Sequence, residues 1–412
     1  MTPLHLHLAK FLQQHPAKRL GVAVSGGSDS MALLRLLAGI HPTDRLFAAT
    51  IDHGLRPEAA QEARLVAETC ASLNIAHQIM AWRDRPETGN VMDKARRARS
   101  TLLAAWAQDL SLDGVALGHT QDDVAETFLM RLGRAAGVEG LAAMPAQKSA
   151  HGVTWLRPLL EIPRSELRKY CRDIGQTWVD DPTNDDPDYA RTRMRQALVA
   201  LSQAGLEPAQ IAASARHLAA TRDTLARELV AKTRAHTRQV DGDIVISRAA
   251  FDTLDTEFQR LWLRGAFVWM GQTDYPPRGV AVADVARAIG EGRKSTLAGC
   301  VIWTQAGHLR LTRELASLEG VAAPAGAVWD NQWRLEGPDF PPDSEIRALG
   351  EAGLLQIKAW RDTGRARTAL LVSPALWAGD QLICAPLAET APKWRAKNVK
   401  NLSDFISSLL SR

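Results

Sequence analysis

The six residues SGGSDS at 25–30 set two glycines among three hydroxyls and one carboxylate, a mixture suited to a backbone cradle for phosphate. Gly26 and Gly27 allow positive φ and close approach of a ligand. Ser28 stands where it can cap a following helix whose free N–H groups and dipole favour an anion. Ser25 and Ser30 complete the loop, which lacks both the lysine of GxxxxGK(S/T) and the spacing of the dinucleotide GxGxxG. Asp29 brings a carboxylate where that lysine would stand, and an acid beside phosphates implies a bridging metal such as Mg²⁺. A second polar cluster, GHTQDDVAET at 118–127, contains His119, Asp123 and Glu126. Their spacing of three puts the two acids on one face of a helix. Asp122 reads as an acid complementing a helix dipole, which leaves His119, Asp123 and Glu126 unexplained by helix capping alone.

Elements must hold these groups together. Gly21, Val22, Ala23 and Val24 read as a short buried strand, and Met31, Leu33, Leu34, Leu36 and Leu37 as a buried helix, so the loop is a strand-to-helix turn. Further strands are expected at 46–52, 77–82, 113–119 and 154–160, separated by amphipathic helical stretches. That rhythm predicts a parallel α/β sheet covered by helices, with ligands beyond the carboxyl ends of its strands. DHGLR at 52–56 and the GHTQDDVAET cluster fall at two such ends.

The chain has 412 residues, 46% hydrophobic and 23% charged, which is the balance of a soluble globular protein and long enough for two or three domains. No apolar stretch of signal-peptide or membrane-span length opens it, so the cytoplasm is expected. Cys70, Cys171, Cys300 and Cys384 are far apart, which argues against a zinc site, an iron–sulfur cluster or a disulfide framework and for buried, reduced thiols. With 50 Lys and Arg against 46 Asp and Glu, global charge says little about nucleic acid. Local clusters say more: DKARRARS at 93–100, YARTRMRQ at 189–196 and KWRAKNVK at 393–400 gather basic residues at helical spacing. Each alone reads as a solvated helix face, a reading that three of them beside a phosphate loop weaken.

SGGSDS, DHGLR, GHTQDDVAETFLMRL, RPLL at 157–160 and DPTNDDPDYARTRMR at 181–195 together resemble the PP-loop ATP pyrophosphatases, and among them the tRNA(Ile)-lysidine synthases. The resemblance is strong from 20 to about 204 and looser beyond. It implies a parallel-sheet PP-loop domain of the adenine nucleotide alpha-hydrolase type, followed by smaller α+β domains. It further implies ATP and L-lysine as substrates, with an isoleucine tRNA bearing a CAU anticodon as partner. ATP would adenylate the wobble cytidine, and the lysine ε-amine would then displace AMP. On this resemblance the loop Ser25–Ser30 binds the nucleotide, Asp29 and Asp123 hold Mg²⁺, and Glu126 joins them or takes the lysine amine. His119, Arg96 and Arg99 contact phosphate oxygens or the cytidine, a task suited to the planar guanidinium. Arg191 and Arg195 lie near the tRNA or nucleotide. Thr192 and Ser100 depart from the asparagine and tyrosine usual in the family at those points.

Expected domains are 1–212, catalytic; 213–320, a helical and α+β unit on the tRNA; and 328–412, a small tRNA-binding unit. Long helices are expected over 218–240 and 251–270, a helix and paired strands over 282–314, and a linker over 319–328. Trp377 and Trp394 read as core residues before base-stacking ones. Two rival functions remain at this point. One is a tRNA thiolase, which no cysteine motif supports; the other is a non-catalytic nucleotide-binding protein, against which Asp29, Asp123 and Glu126 argue.

Overall fold

The computed structural model describes residues 2–52, 54, 59–82, 91–180, 190–272 and 276–410. They form two compact units, Met1–Arg222 and Asp223–Arg412. DPTNDDPDY at 181–189 and most of DHGLR lie outside the described residues.

The first unit runs α1 (Pro3–Gln14), β1 (Leu20–Ala23), α2 (Ser28–Ala38), β2 (Leu46–Asp52), α3 (Ala59–Ser72), β3 (Ala76–Ala81), α4 (Val91–Asp109), β4 (Gly114–Leu117), α5 (Gln121–Leu132), α6 (Val138–Leu141), β5 (Gln147–Ala150), β6 (Val153–Leu156), α7 (Arg164–Asp173) and α8 (Ala190–Gln203). The division between units falls within α9 (Pro208–Thr233). The sheet order is β3-β2-β1-β4-β6-β5, parallel except for β5, which pairs antiparallel with β6. β5 was not expected, because QKSA is polar and carries no strand pattern. It forms as an edge strand through the two-residue turn His151–Gly152, both at positive φ, a geometry matched to strand twist.

Both faces of the sheet are covered. Met31, Leu33, Leu34, Leu36 and Leu37 of α2 are fully buried, with Val66 and Leu167 in the same cluster. Each such side chain contributes about 2 kcal/mol by leaving water. On α4, Leu103, Ala104 and Trp106 share a second cluster with Val115 and Trp155 of β4 and β6. The chain leaves β1 toward β2 on one side and returns to β4 on the other. The crevice at this reversal of strand order, beyond β1 and β4, is where such sheets bind ligands.

In the second unit, β7 (Thr237–Val240), β8 (Asp243–Ser247), β9 (Ser295–Leu297), β10 (Cys300–Gln305) and β11 (His308–Arg313) form an antiparallel sheet in the order β7-β8-β11-β10-β9. It shares a core with α11 (Thr256–Gly271) and α12 (Gly279–Gly290). The expected helix over 251–270 is broken: α10 (Arg248–Asp252) stops, and α11 restarts behind Asp255 as N-cap. The expected helix over 218–240 ends at Thr233, and β7 follows.

The stretch 319–328 is not a bare linker. It supplies β12 (Ala322–Pro324), which pairs with β14 (Glu345–Ala348) and joins β15 (Pro374–Ala378) and β16 (Gln381–Cys384) in a four-stranded sheet. KWRAKNVK is not helical either: β17 (Arg395–Asn398) pairs with β13 (Trp333–Glu336), and Lys397 Nζ lies 2.8 Å from Glu336 Oε1. Trp377 and Trp394 are buried, as their core reading requires. Among the described residues, no helix is long and apolar enough to cross a membrane.

Asp243 is fully enclosed and accepts two hydrogen bonds from Arg310, at 3.0 and 2.7 Å. Burial pushes its carboxyl up to about 6, against the pull of Arg310. Since its unfolded value lies near 4, the folded unit holds this proton more tightly, and stability falls as pH rises from about 4 to about 6. Wild type should therefore lose melting temperature relative to Asp243→Asn over that window and hold a constant difference above it. A difference that does not change with pH contradicts this.

Candidate active site

Gly26 takes φ +88°, open to glycine and strained for an L side chain, and turns the chain from β1 into α2. The N-cap of α2 is Gly27, so Ser28 is the first helical residue and not the cap; its Oγ donates to Asp29 Oδ1 at 3.1 Å. Ser30 closes the loop instead. Its Oγ accepts from Ser25 N at 3.1 Å and donates to Gly27 O at 3.1 Å, while Val179 N donates to Gly26 O at 3.0 Å. The loop is thus prebuilt, with Asp29 in the first turn of α2.

Gly118, just past β4, lies against this turn. A Cβ there would come within 3.2 Å of Ser30 N, Ser30 Cα and Asp29 C, all backbone atoms. Gly118→Ala should therefore push the end of β4 from the loop and weaken ATP binding about tenfold, with a smaller loss in melting temperature. Unchanged ATP affinity, measured by equilibrium dialysis, would show that the loop does not depend on this approach.

Thr120 caps α5 in a reciprocal box. Asp123 Oδ2 accepts from Thr120 N at 2.7 Å and Thr120 Oγ1 at 3.0 Å, which fixes the carboxylate and leaves Oδ1 facing the crevice. Glu126, one turn on, is fully buried. The sequence reading of one acidic face holds, and a residue with no expected role joins the acids. Arg164 opens α7 behind Pro163; its Nε donates to Asp29 Oδ2 at 2.8 Å, its Nη2 to Asp123 Oδ1 at 3.3 Å and its Nη1 to Glu126 Oε1 at 3.3 Å. Asp122 Oδ2 accepts the Arg164 backbone N–H at 2.8 Å, so Asp122 serves α7 as well as its own helix. A guanidinium in the first turn of a helix opposes the dipole, and that anomaly in PRSEL is the signal by which sequence could have flagged Arg164.

α8 brings two more cations. Arg195 Nε donates to Glu126 Oε1 at 2.7 Å, and Arg191 Nε lies 2.9 Å from Glu126 Oε2, an ion pair off the angle of a hydrogen bond. Arg191 Nη2 is 3.5 Å from Asp123 Oδ1. The basic face of α8 is therefore turned toward the acids, not simply solvated. Burial raises the Asp29 carboxyl above its ordinary range, with Arg164 pulling against it. Burial also raises Asp123, but the Arg191 and Arg164 guanidiniums outweigh it, and its value ends below the ordinary one.

His119 follows β4, and burial drives its imidazole down to about 3, so it is neutral at physiological pH. Its Nδ1 is buried and has no hydrogen-bond partner. Arg99 lies close enough to feel Arg96, Arg191 and Asp123; burial, then the two arginines, lower it. Arg96, one turn earlier on α4, is exposed.

Asp29 and Asp123 come from adjacent strand ends and share one cation, the Arg164 guanidinium. Their hard oxygens fit Mg²⁺. Among the described residues, no group of three or more His, Cys, Asp and Glu could hold a metal. All four cysteines are free and buried. Burial pushes Cys70 and Cys171 to about 11, and thiols so protonated are poor nucleophiles.

A glycine turn at the reversal of a parallel sheet, faced by acids from the next strand end, is the architecture of PP-loop proteins, and residues 1–202 match the PP-loop domain family. Relatives narrow the class. A tRNA(Ile)-lysidine synthase of Ruegeria pomeroyi is 44% identical over 407 residues, covering 98% of this chain and 97% of its own. That of Zymomonas mobilis is 36% identical over 287 residues, 69% of this chain and 85% of its own. A solved U34-tRNA thiolase of Methanococcus maripaludis is similar at 20% identity and a TM-score of 0.45, over 52% of this chain and 78% of that one. The chain belongs to the tRNA(Ile)-lysidine synthase family.

Proposed function

We propose that this chain uses ATP to adenylate the wobble cytidine of the CAU-anticodon isoleucine tRNA and then joins L-lysine to it, releasing pyrophosphate and AMP. The observation that carries this reading is the convergence of Asp29, Asp123 and Glu126 beside the Ser25–Ser30 loop. In the first step the carbonyl oxygen on the cytosine ring forms a bond to the α-phosphorus, and the bond from that phosphorus to the pyrophosphate oxygen breaks. In the second, the ε-nitrogen of lysine forms a bond to the activated ring carbon, loses a proton, and AMP leaves with the carbon–oxygen electron pair.

Backbone groups of the loop and the N-terminus of α2 receive the phosphates. Asp29 and Asp123 would hold Mg²⁺, which offsets the charge developing on pyrophosphate. Glu126 would join them at the metal or take the lysine amine. His119, Arg96 and Arg99 receive the cytidine and its phosphate; Arg191 and Arg195 hold the acids and border the RNA. The second unit, Asp223–Arg412, would grip the tRNA, and the cytoplasm, where ATP and lysine are both free, is the compartment this reaction needs.

The test is incubation with lysine, ATP, Mg²⁺ and the CAU-anticodon tRNA, followed by digestion and mass analysis of the nucleosides. Lysidine is expected, and its absence with an intact protein and transcript refutes the reading.

A further inference from the structure

Arg157 is the first residue after β6, and the register Val115↔Trp155 and Ala116↔Leu156 sets it beside the end of β4, close to His119. Its Nη1 donates to Pro145 O at 3.0 Å, while its Nε is buried without a partner, like His119 Nδ1. α4 packs over β4 and β6 through Leu103 and Trp106, which brings the earlier turns holding Arg96 and Arg99 over the same strand ends. The arginines sense one another: Arg96 depresses both Arg99 and Arg157, after burial. Among the described residues, no carboxylate forms an ion pair with Arg96, Arg99 or Arg157, whereas Arg164, Arg191 and Arg195 are all paired.

Three neighbouring guanidiniums that no carboxylate pairs directly among the described residues, beside two orphaned buried nitrogens, call for an anion with several acceptor oxygens. The nucleotide loop follows β1, two strands from β6, or about 10 Å along the hydrogen-bonding direction. Arg157 therefore stands apart from the loop that would receive the triphosphate. We infer that Arg157, with Arg96 and Arg99, forms a subsite for a phosphodiester of the RNA backbone next to the nucleotide being modified. The identity of that RNA rests on the proposed function; the anion class rests on the cluster. The subsite holds the target strand by its backbone, leaving the base to the crevice between His119 and Asp123.

The probe is an anticodon stem-loop RNA carrying CAU, titrated by fluorescence anisotropy at several salt concentrations against the full chain. Arg157→Gln should weaken binding about tenfold and make the slope of log affinity against log salt shallower by about 0.7, the value for one phosphate contact on a single strand. Arg157→Lys should keep the slope while losing part of the affinity, because it retains charge but not the guanidinium fork. Arg96→Gln, on the exposed side of α4, should also make the slope shallower, and ATP binding without RNA should stay unchanged in the two Arg157 variants. An unchanged slope in Arg157→Gln, or a loss of ATP affinity with RNA binding intact, overturns the subsite. If Arg157→Gln does not fold, unchanged affinity in Arg157→Lys with an unchanged slope in Arg96→Gln overturns it equally. Lysidine formation with an Arg157-independent slope overturns the subsite alone, and an Arg157-dependent slope without lysidine supports it while refuting the proposed activity.

Discussion

Asp123→Asn should lower tRNA-dependent pyrophosphate release by about 10²- to 10³-fold, the scale seen when one preorganised charge is removed from a polar transition state. Two features make the effect large. Asp123 is buried, so its charge acts with little screening, and its Oδ2 is locked by Thr120, so Oδ1 faces Arg164 and Arg191 in one fixed position. Asparagine can still accept the bond from Thr120 N, so the cap of α5 and the melting temperature should change little. Activity within a few-fold of wild type would remove Asp123 from the reaction centre. The same substitution at Asp29 should act similarly, since that carboxylate faces the same cation from the other strand end.

Arg164→Ala is expected to have the largest effect on stability. It would leave Asp29, Asp123 and Glu126 short of a cation that now binds all three, and breaking a buried pair by removing one partner costs about 3–5 kcal/mol. For a unit of this size that is a drop on the order of 10 °C in melting temperature. The loss should depend on pH. Without Arg164, burial raises the Asp29 carboxyl further above its unfolded value, so the penalty is full above that raised value and disappears as pH falls toward about 4. The gap between wild type and variant should therefore narrow in acid. A gap that is constant from pH 7 to pH 4 would mean that the guanidinium is not balancing these acids. Lysidine formation should be lost at every pH, because the three carboxylates are no longer held in one arrangement.

Local pattern carried much of this molecule. Period and composition are properties of neighbouring residues, so the strand at 46–52, the buried helix after the loop and the parallel sheet could be read directly. The positive φ of Gly26 and the shared face of Asp123 and Glu126 followed from local rules as well. β5 escaped because an edge strand needs no apolar alternation, and 319–328 looked like a linker because its pairing partner, β14, lies farther along the chain.

The functional contacts divide the same way. SGGSDS and GHTQDDVAET named the acids, but only the sheet order β1-β4-β6 set Asp29, Asp123 and Arg157 at neighbouring strand ends. Arg164 lies 135 residues from Asp29 and 41 from Asp123 in the chain, and its three ion pairs exist because α7 starts beside the end of β4. Charge sign and residue type are written in sequence. Which arginine is neutralised and which remains open to an anion depends on distances of a few ångströms between distant segments, because Coulomb interaction and desolvation both change steeply on that scale, and only the packed chain fixes them.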